Sequence, residues 1–269
     1  LISVQFGEEL MKRYLHSFKE RVPVSIRLNV DVKPEDVAHL TLGAKIPWSE
    51  RGYYLTSRPQ FTLDPLLHAG AYYVQDASSQ YLDEVMRRVT ETMPIRLAAD
   101  FCAAPGGKTL ILKDYLADGG LLIANEYVRK RAWILKENVE KAMGCLSSKD
   151  AGKRVVVINN SADEIALSGL TFDFILCDVP CSGEGMFRKD KDAIAEWSMS
   201  NVAKCAELQR EIVQSAWNCL RDGGVLVYST CTFNCYEDEE MVQFITEKLD
   251  GQILIEPRKF IPGREKGEG

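Results

Sequence analysis

The sequence predicts an α/β fold: a doubly wound parallel sheet preceded by a small α+β module. From Tyr72 onward, short apolar runs alternate with helical patterns in a repeated strand–helix order. The runs are near-continuously apolar, as strands covered on both faces must be. Residues 1–70 lack that alternation and mix a few short elements with turn signals. The expected boundaries are therefore 1–70 for the module and 71–269 for the sheet domain.

In the module, Leu10, Tyr14, Leu15 and Phe18 recur at helical spacing between Glu8 and Glu20. Val24 to Leu28 alternates like a strand, and Pro34 opens a short helix with apolar Val37, Leu40 and Leu42. Pro47-Trp48-Ser49 and Arg58-Pro59 are loop signals. In the second part, Asp76 is placed to N-cap a helix through Tyr81, Leu82, Val85 and Met86. Strands are expected at Ile95 to Asp100, Leu121 to Ala124, Val155 to Ile158, Phe172 to Cys177 and Val225 to Tyr228. Helices are expected through Leu110 to Tyr115, Tyr127 to Met143, Asn201 to Leu220 and Glu237 to Leu249. Gly223-Gly224 reads as a turn, Leu146 to Arg154 as an exposed polar loop, and Ile253 to Ile255 as strand-like.

Composition narrows the class. Hydrophobic residues make up 46% and charged residues 27%, the balance of a soluble globular chain. No apolar run approaches the ~20 residues that cross a bilayer. The opening Leu1-Ile2-Ser3-Val4 lacks the basic-then-apolar layout of a signal peptide. A cytoplasmic protein without a membrane partner, and a monomer, is expected. The formal charge of −6 argues against indiscriminate phosphate binding and leaves room for a local basic patch. Eight scattered cysteines in such a chain favour free thiols over a disulfide framework.

The stretch Asp100-Phe101-Cys102-Ala103-Ala104-Pro105-Gly106-Gly107-Lys108-Thr109 leaves the first parallel strand. Small residues there let a ligand approach the backbone. Gly107-Lys108-Thr109 fits the end of a Walker A loop, but Cys102 stands where its first glycine belongs. A dinucleotide G-x-G-x-x-G is absent. A nucleoside-type cofactor remains, and Glu126, twenty residues past Gly106, lies where ribose hydroxyls are gripped. The plainer role for Glu126 is an acid complementing a helix N-terminus.

Two thiols follow central strands: Cys181 in Asp178-Val179-Pro180-Cys181-Ser182-Gly183, and Cys231 in Ser229-Thr230-Cys231-Thr232. A thiolate is a strong nucleophile towards an electron-poor ring carbon. Added at C6 of cytosine, it makes C5 able to take an electrophilic methyl group. Asp178 is placed to stabilise the adduct near N3.

These stretches, D-F-C-A-A-P-G-G-K-T, A-N-E-x-x-x-x-R, D-V-P-C-S-G-E-G-M-F-R-K-D and Y-S-T-C-T, together resemble the Sun-type family of RNA cytosine-5 methyltransferases. The likeness is greatest to its bacterial RsmF-like branch and extends, in order, from about Val24 to Glu240. The resemblance implies a Rossmann-type methyltransferase domain behind an RRM-like module, S-adenosyl-L-methionine as cofactor and small-subunit ribosomal RNA as partner. It implies that Cys231 attacks C6, that Cys181 assists product release, and that Asp178 contacts both cytosine and the cofactor region. Cys102, Ala103, Ala104, Pro105, Gly106, Gly107, Lys108 and Glu126 would bind the cofactor. The family's adenine-side Asp has no direct counterpart; Ser161 aligns by spacing, with Asp163 two residues later. Relatives commonly carry a further C-terminal RNA-binding domain, which this chain is expected to lack.

RNA contacts are expected from Arg188 and Lys189, just past the Cys181 loop, where positioning contacts to phosphate are needed. Arg27 and Arg131 are further candidates, each with a role in the fold as the alternative. Cys177-x3-Cys181 and Cys231-x3-Cys235 have zinc-compatible spacing, but packing is the better reading for Cys177, as for Cys145, Cys205 and Cys219, and no metal is expected. Glu237 to Glu240 reads as acids at a helix start, without a catalytic role. Two other classes stay open: a DNA cytosine-5 methyltransferase attacking through the Pro180-Cys181 thiol, and a non-catalytic RNA-binding factor.

Overall fold

The computed structural model of the chain describes residues 2–144 and 152–254. Cys145, most of the expected polar loop and Ile255 lie outside them. The chain divides into two compact units. The larger takes in residues 23–176 and 219–227; the smaller takes in described residues of 1–22, 177–218 and 228–269. Neither boundary falls at residue 70.

The first helix, α1 (Ile2–Ser17), belongs to the smaller unit and is interrupted by non-helical Gly7. The larger unit then begins with an antiparallel sheet of β1 (Val24–Leu28), β2 (Leu42–Lys45), β3 (Gly52–Leu55) and β4 (Tyr72–Val74). The order is β2-β3-β1-β4, so β4, past residue 70, completes the module. Ile26 and Leu28 bury against Val37, Leu40, Leu55 and Tyr72. A short helix, α2 (Pro65–His68), is capped by the Asp64 carboxylate, which accepts from the Leu66 amide at 2.9 Å.

The second sheet has β5 (Ile95–Asp100), β6 (Leu116–Asn125), β7 (Arg154–Ile158), β8 (Phe172–Asp178) and β9 (Leu220–Ser229), in the order β7-β6-β5-β8-β9. β6 pairs in parallel with β5 and β7, and β5 with β8. This is the expected α/β architecture. The strands are apolar because Ala98, Leu122, Phe174 and Leu176 are enclosed together with Met86, Ile111 and Leu112 from helices α3 (Tyr81–Thr92) and α4 (Gly107–Asp114). Asp76 does not cap α3. The Gln80 amide bonds to the Asp76 and Ala77 carbonyls, so turns occupy residues 76–80 and the helix starts at Tyr81. Beyond β6 lie α5 (Arg129–Gly144) and, after β7, the short α6 (Ala162–Leu167). Gly223-Gly224, read as a turn, lies inside β9. The smaller unit adds α7 (Lys191–Glu196), α8 (Met199–Asn218) and α9 (Glu239–Lys248).

One buried ionic cluster ties the two sheets of the larger unit together. Arg27 on β1 is only 5% exposed. It donates to Asp83 of α3 at 3.0 Å and sits 2.8 Å from the carboxylate of Asp114 at the end of α4. Arg51 reaches the same Asp114 oxygen, and the Ser49 hydroxyl donates to Asp83 at 2.7 Å. Arg27 is therefore a fold residue and not the RNA contact expected from the sequence: its guanidinium is spent on two carboxylates out of reach of solvent.

Burial alone would raise Asp114, but the charges of Arg27, Arg51 and Lys113 override it and hold the carboxyl at about 2 instead of 3.8. A depressed carboxyl stabilises the fold above its ordinary value and stops doing so as pH falls through its folded value. Asp114→Asn should therefore flatten the loss of stability between pH 4 and pH 2, measured by urea unfolding across that range. Arg27→Met leaves two buried carboxylates short of their main counter-ion and should cost about 3–5 kcal/mol in the same assay at neutral pH.

Candidate active site

Two centres emerge, one in each unit. In the larger unit the loop after β5 is held from behind at almost every carbonyl. Asn125 at the end of β6 donates to Phe101 O at 3.1 Å, and its own carbonyl accepts from the Ala103 amide at 2.8 Å. Arg131 donates to Ala104 O at 2.9 Å, and Asn138 to Pro105 O at 2.8 Å, both from α5. The Thr109 hydroxyl bonds the buried Asp100 carboxylate at 2.8 Å. Gly106, at φ 116°, occupies a backbone region that side chains disfavour and turns the chain into α4. Ala103 and Ala104 pack on Ala124, Leu135 and Val139, so their small size is set by the close approach of β6 and α5. Cys102 and Lys108 are half-buried and Pro105 is exposed.

Glu126 is 4% exposed. One of its oxygens accepts from the Val128 amide at 2.8 Å, just ahead of α5, and the other lies 3.5 Å from Arg131. The helix-start role weighed for Glu126 is thus present. Arg131, expected to contact RNA, is exposed and also holds Glu126 and the glycine loop. Ser161 is the N-cap of α6: its hydroxyl accepts from the Glu164 amide and its own amide bonds the Glu164 carboxylate. The polar groups expected to face an adenine are occupied by that reciprocal cap, while Asp163 is exposed.

In the smaller unit, the ends of β8 and β9 hold the reactive residues. The Val179 amide bonds the Ser229 carbonyl at 3.1 Å, and the Ser229 hydroxyl bonds the Asp178 carboxylate at 2.6 Å. This pairing brings Cys181 and Cys231 together, with their Sγ atoms 3.0 Å apart. The Cys231 amide also points at Cys181 Sγ, at 3.3 Å. Cys231 is exposed and Cys181 half-buried. The hydrogen bond to Cys231, then burial, push the Cys181 thiol well up, so Cys181 keeps its proton. The Arg188 side chain is half-buried and Lys189 is exposed. Cys177 is fully buried on β8, where a side chain packs. Among the described residues no group of three or more His, Cys, Asp or Glu could hold a metal ion, and no helix is long and apolar enough to cross a membrane.

The geometry also brings in residues that sequence reasoning missed. Asn125 stands beside the flagged Glu126 but had no signal of its own. Glu184, Gln209, Thr232, Asn234 and Glu237 form a buried polar network behind the thiols.

A glycine loop leaving β5 and paired thiols following β8 and β9 define the class as a methyltransferase-type α/β fold. The comparisons agree. Residues 92–262 match the family model for the 16S rRNA methyltransferase RsmB/F, and residues 3–77 match that for the N-terminal domain of 16S rRNA methyltransferase RsmF. The chain belongs to the RsmB/F methyltransferase family. It is 34% identical over 218 residues to the ribosomal RNA small subunit methyltransferase F of Aliivibrio salmonicida, covering 79% of this chain and 44% of that protein. It is 36% identical over 217 residues to the enzyme of the same name from Erwinia tasmaniensis, covering 79% and 43%. The chain thus spans less than half the length of these curated relatives. Among solved structures, a methyltransferase homolog protein from Pyrococcus horikoshii superposes with a TM-score of 0.72 at 27% identity, over 90% of this chain and 75% of that one. The fold is shared as well by NSun6 from Pyrococcus horikoshii, with a TM-score of 0.75 at 20% identity, over 91% and 85%.

Asp238 offers a pH signature of the thiol loops. Burial pushes its carboxyl up to about 7 from 3.8; the Thr230 hydroxyl opposes this at 2.7 Å, and the charges of Glu239, Glu237 and Glu184 add to it. Between those values the unfolded chain is ionised and the folded one is not, so stability falls as pH rises from 4 to 7. Asp238→Asn should remove that fall, a gain over the parent of about 2–4 kcal/mol at pH 7. Urea unfolding of both proteins at pH 4, 5.5 and 7 checks it; parallel curves would exclude the assignment.

Proposed function

We propose that this chain is the catalytic portion of an S-adenosylmethionine-dependent enzyme that methylates C5 of cytosine in small-subunit ribosomal RNA through a covalent thiol adduct. The observation that carries the reading is the thiol pair: two cysteines in contact after β8 and β9, Cys231 exposed and Cys181 half-buried. Family membership supports RNA as the methyl acceptor.

In this reading Cys231 adds to C6 of a cytosine that is single-stranded or flipped out of its helix. The ring electrons displaced by the new C6–S bond make C5 nucleophilic. Asp178, oriented by Ser229, stabilises the protonated N3 side of the adduct. C5 takes the methyl group that the cofactor supplies when bound. Loss of the C5 proton to a base then re-forms the C5–C6 double bond and expels Cys231, with Cys181 assisting that release. Arg188 and Lys189 bear on the RNA backbone.

The cofactor reading rests on chemistry that suits a nucleoside. Cys102 to Lys108 present small side chains and a backbone fixed from behind, and the buried Glu126 carboxylate is an acceptor for ribose hydroxyls. Asp163 replaces Ser161 as the adenine-side candidate because Ser161 is committed to its helix cap. The monomeric state remains part of the proposal.

The test is transfer of a tritiated methyl group from S-adenosylmethionine to a small-subunit ribosomal RNA transcript, followed by nucleoside analysis. Label in 5-methylcytidine is expected; label on adenosine or on protein alone overturns the reading. Cys231→Ala should abolish turnover, by a factor of about 10⁴ or more for loss of a covalent nucleophile. Cys181→Ala should instead accumulate an RNA–protein adduct on denaturing gels. The opposite pattern would assign attack to Cys181.

A further inference from the structure

The loops that carry the two thiols exchange buried carboxylates. Glu237, on the Cys231 side and fully buried, accepts from the Ser182 amide at 3.0 Å and from the Ser182 hydroxyl, one residue past Cys181. It also takes the Asn234 amide group at 2.7 Å and the Gln209 amide group of α8 at 2.7 Å. Glu184, on the Cys181 side and 2% exposed, does the reverse. It accepts from the Thr232 hydroxyl at 2.9 Å and the Phe233 amide at 3.0 Å, the two residues after Cys231. Trp197 donates to it at 3.1 Å. The Ser182 and Thr232 hydroxyls meet between the carboxylates at 3.1 Å. A further tie runs through the backbone: the Gly185 amide bonds Cys231 O at 2.8 Å, where a Cβ on residue 185 would lie 2.6 Å from that oxygen.

The partners just named are all neutral groups. They are hydroxyl, amide and indole donors, and most of them come from the opposite loop or from a helix behind it. A buried anion that loses such donors bears a heavy desolvation cost, so the two loops are held in one register. The leverage of the two acids falls on the residues next to the cysteines.

We infer that Glu237 and Glu184 are positioning residues that set the Cys181–Cys231 separation, and that Glu237 in particular holds Cys181 where it can release the methylated product. This rests on the division of labour proposed above for the two thiols. Glu237→Gln keeps the shape but places an NH2 group against donors, and Ser182→Ala removes the donating hydroxyl from the other loop. Both should let Cys181 drift while Cys231 still attacks.

The experiment uses the 269-residue chain, S-adenosylmethionine and a small-subunit ribosomal RNA transcript, with the adduct quantified on denaturing gels. Glu237→Gln and Ser182→Ala should each lower turnover by up to about 100-fold, the scale of a misplaced reacting group, with KM for the transcript unchanged. Adduct should accumulate as in Cys181→Ala. In the Cys181→Ala background neither substitution should change the adduct level or its decay. That non-additivity separates positioning from general damage, because a merely structural residue would depress adduct formation in both backgrounds. Thermal melting of Ser182→Ala, which leaves no charge unpaired, covers the case in which Glu237→Gln does not fold. Loss of turnover without adduct in both single variants overturns the inference while leaving the thiol assignment intact. Absence of adduct in Cys181→Ala itself defeats the thiol assignment and the inference with it.

Discussion

Two sulfur atoms delivered from separate strands stand 3.0 Å apart, and the smaller unit holds the loops that carry them with buried charge. Loops after parallel strands are ordinarily the most variable part of an open α/β sheet. Here they are joined by groups that cannot be left unsatisfied. An apolar contact between the loops would tolerate sliding; a buried carboxylate with directional donors does not. The loop register is set by polar satisfaction, while the strands beneath are set by apolar burial. Around this centre α1 contributes a lid: the Tyr14 hydroxyl donates to Glu184 O at 3.1 Å, and its ring meets Phe233 edge-on at 5.7 Å.

The larger unit solves a different problem by different means. Its glycine loop, proposed to meet a cofactor with its backbone, is gripped by side chains of neighbouring elements. Asn125, Arg131 and Asn138 take the carbonyls that an irregular segment leaves without partners. The loop is rigid because of polar groups that never need to touch what it binds. Glu126 shows how the two demands combine: one oxygen fixes the start of α5 and the other lies near Arg131.

Much of this was legible in the sequence, for reasons that differ element by element. The parallel strands declared themselves because burial on both faces forces near-continuous apolar runs, and Phe174 to Cys177 is such a run. The N-terminal sheet was legible only at β1. Its other strands, such as Gly52–Leu55 and Tyr72–Val74, are too short to show a period of two. The thiols stood out because each follows a strand read as central, although β9 is the outer strand of the described sheet; their supporting acids did not. Glu237 sits just before α9, where an acid is favoured by the helix dipole alone, so local reasoning had a sufficient explanation and stopped. Arg27 misled in the same way: a lone arginine on a strand reads as surface until Asp83 and Asp114, far along the chain, are seen beside it.

That arginine also bears on how such a protein can be rearranged. An N-terminal module that merely read RNA would be exchangeable, a domain joined by a linker and free to be swapped or deleted. Arg27 makes it instead a structural part of the larger unit, since β1 supplies the counter-ion for acids on two helices that flank the parallel sheet. Cutting the chain after Val74 would leave Asp83 and Asp114 without it. The natural seam for grafting or recombination therefore does not lie between module and sheet, and a lineage that altered its RNA preference through this module would do so on the module's outer surface, with β1 held in place.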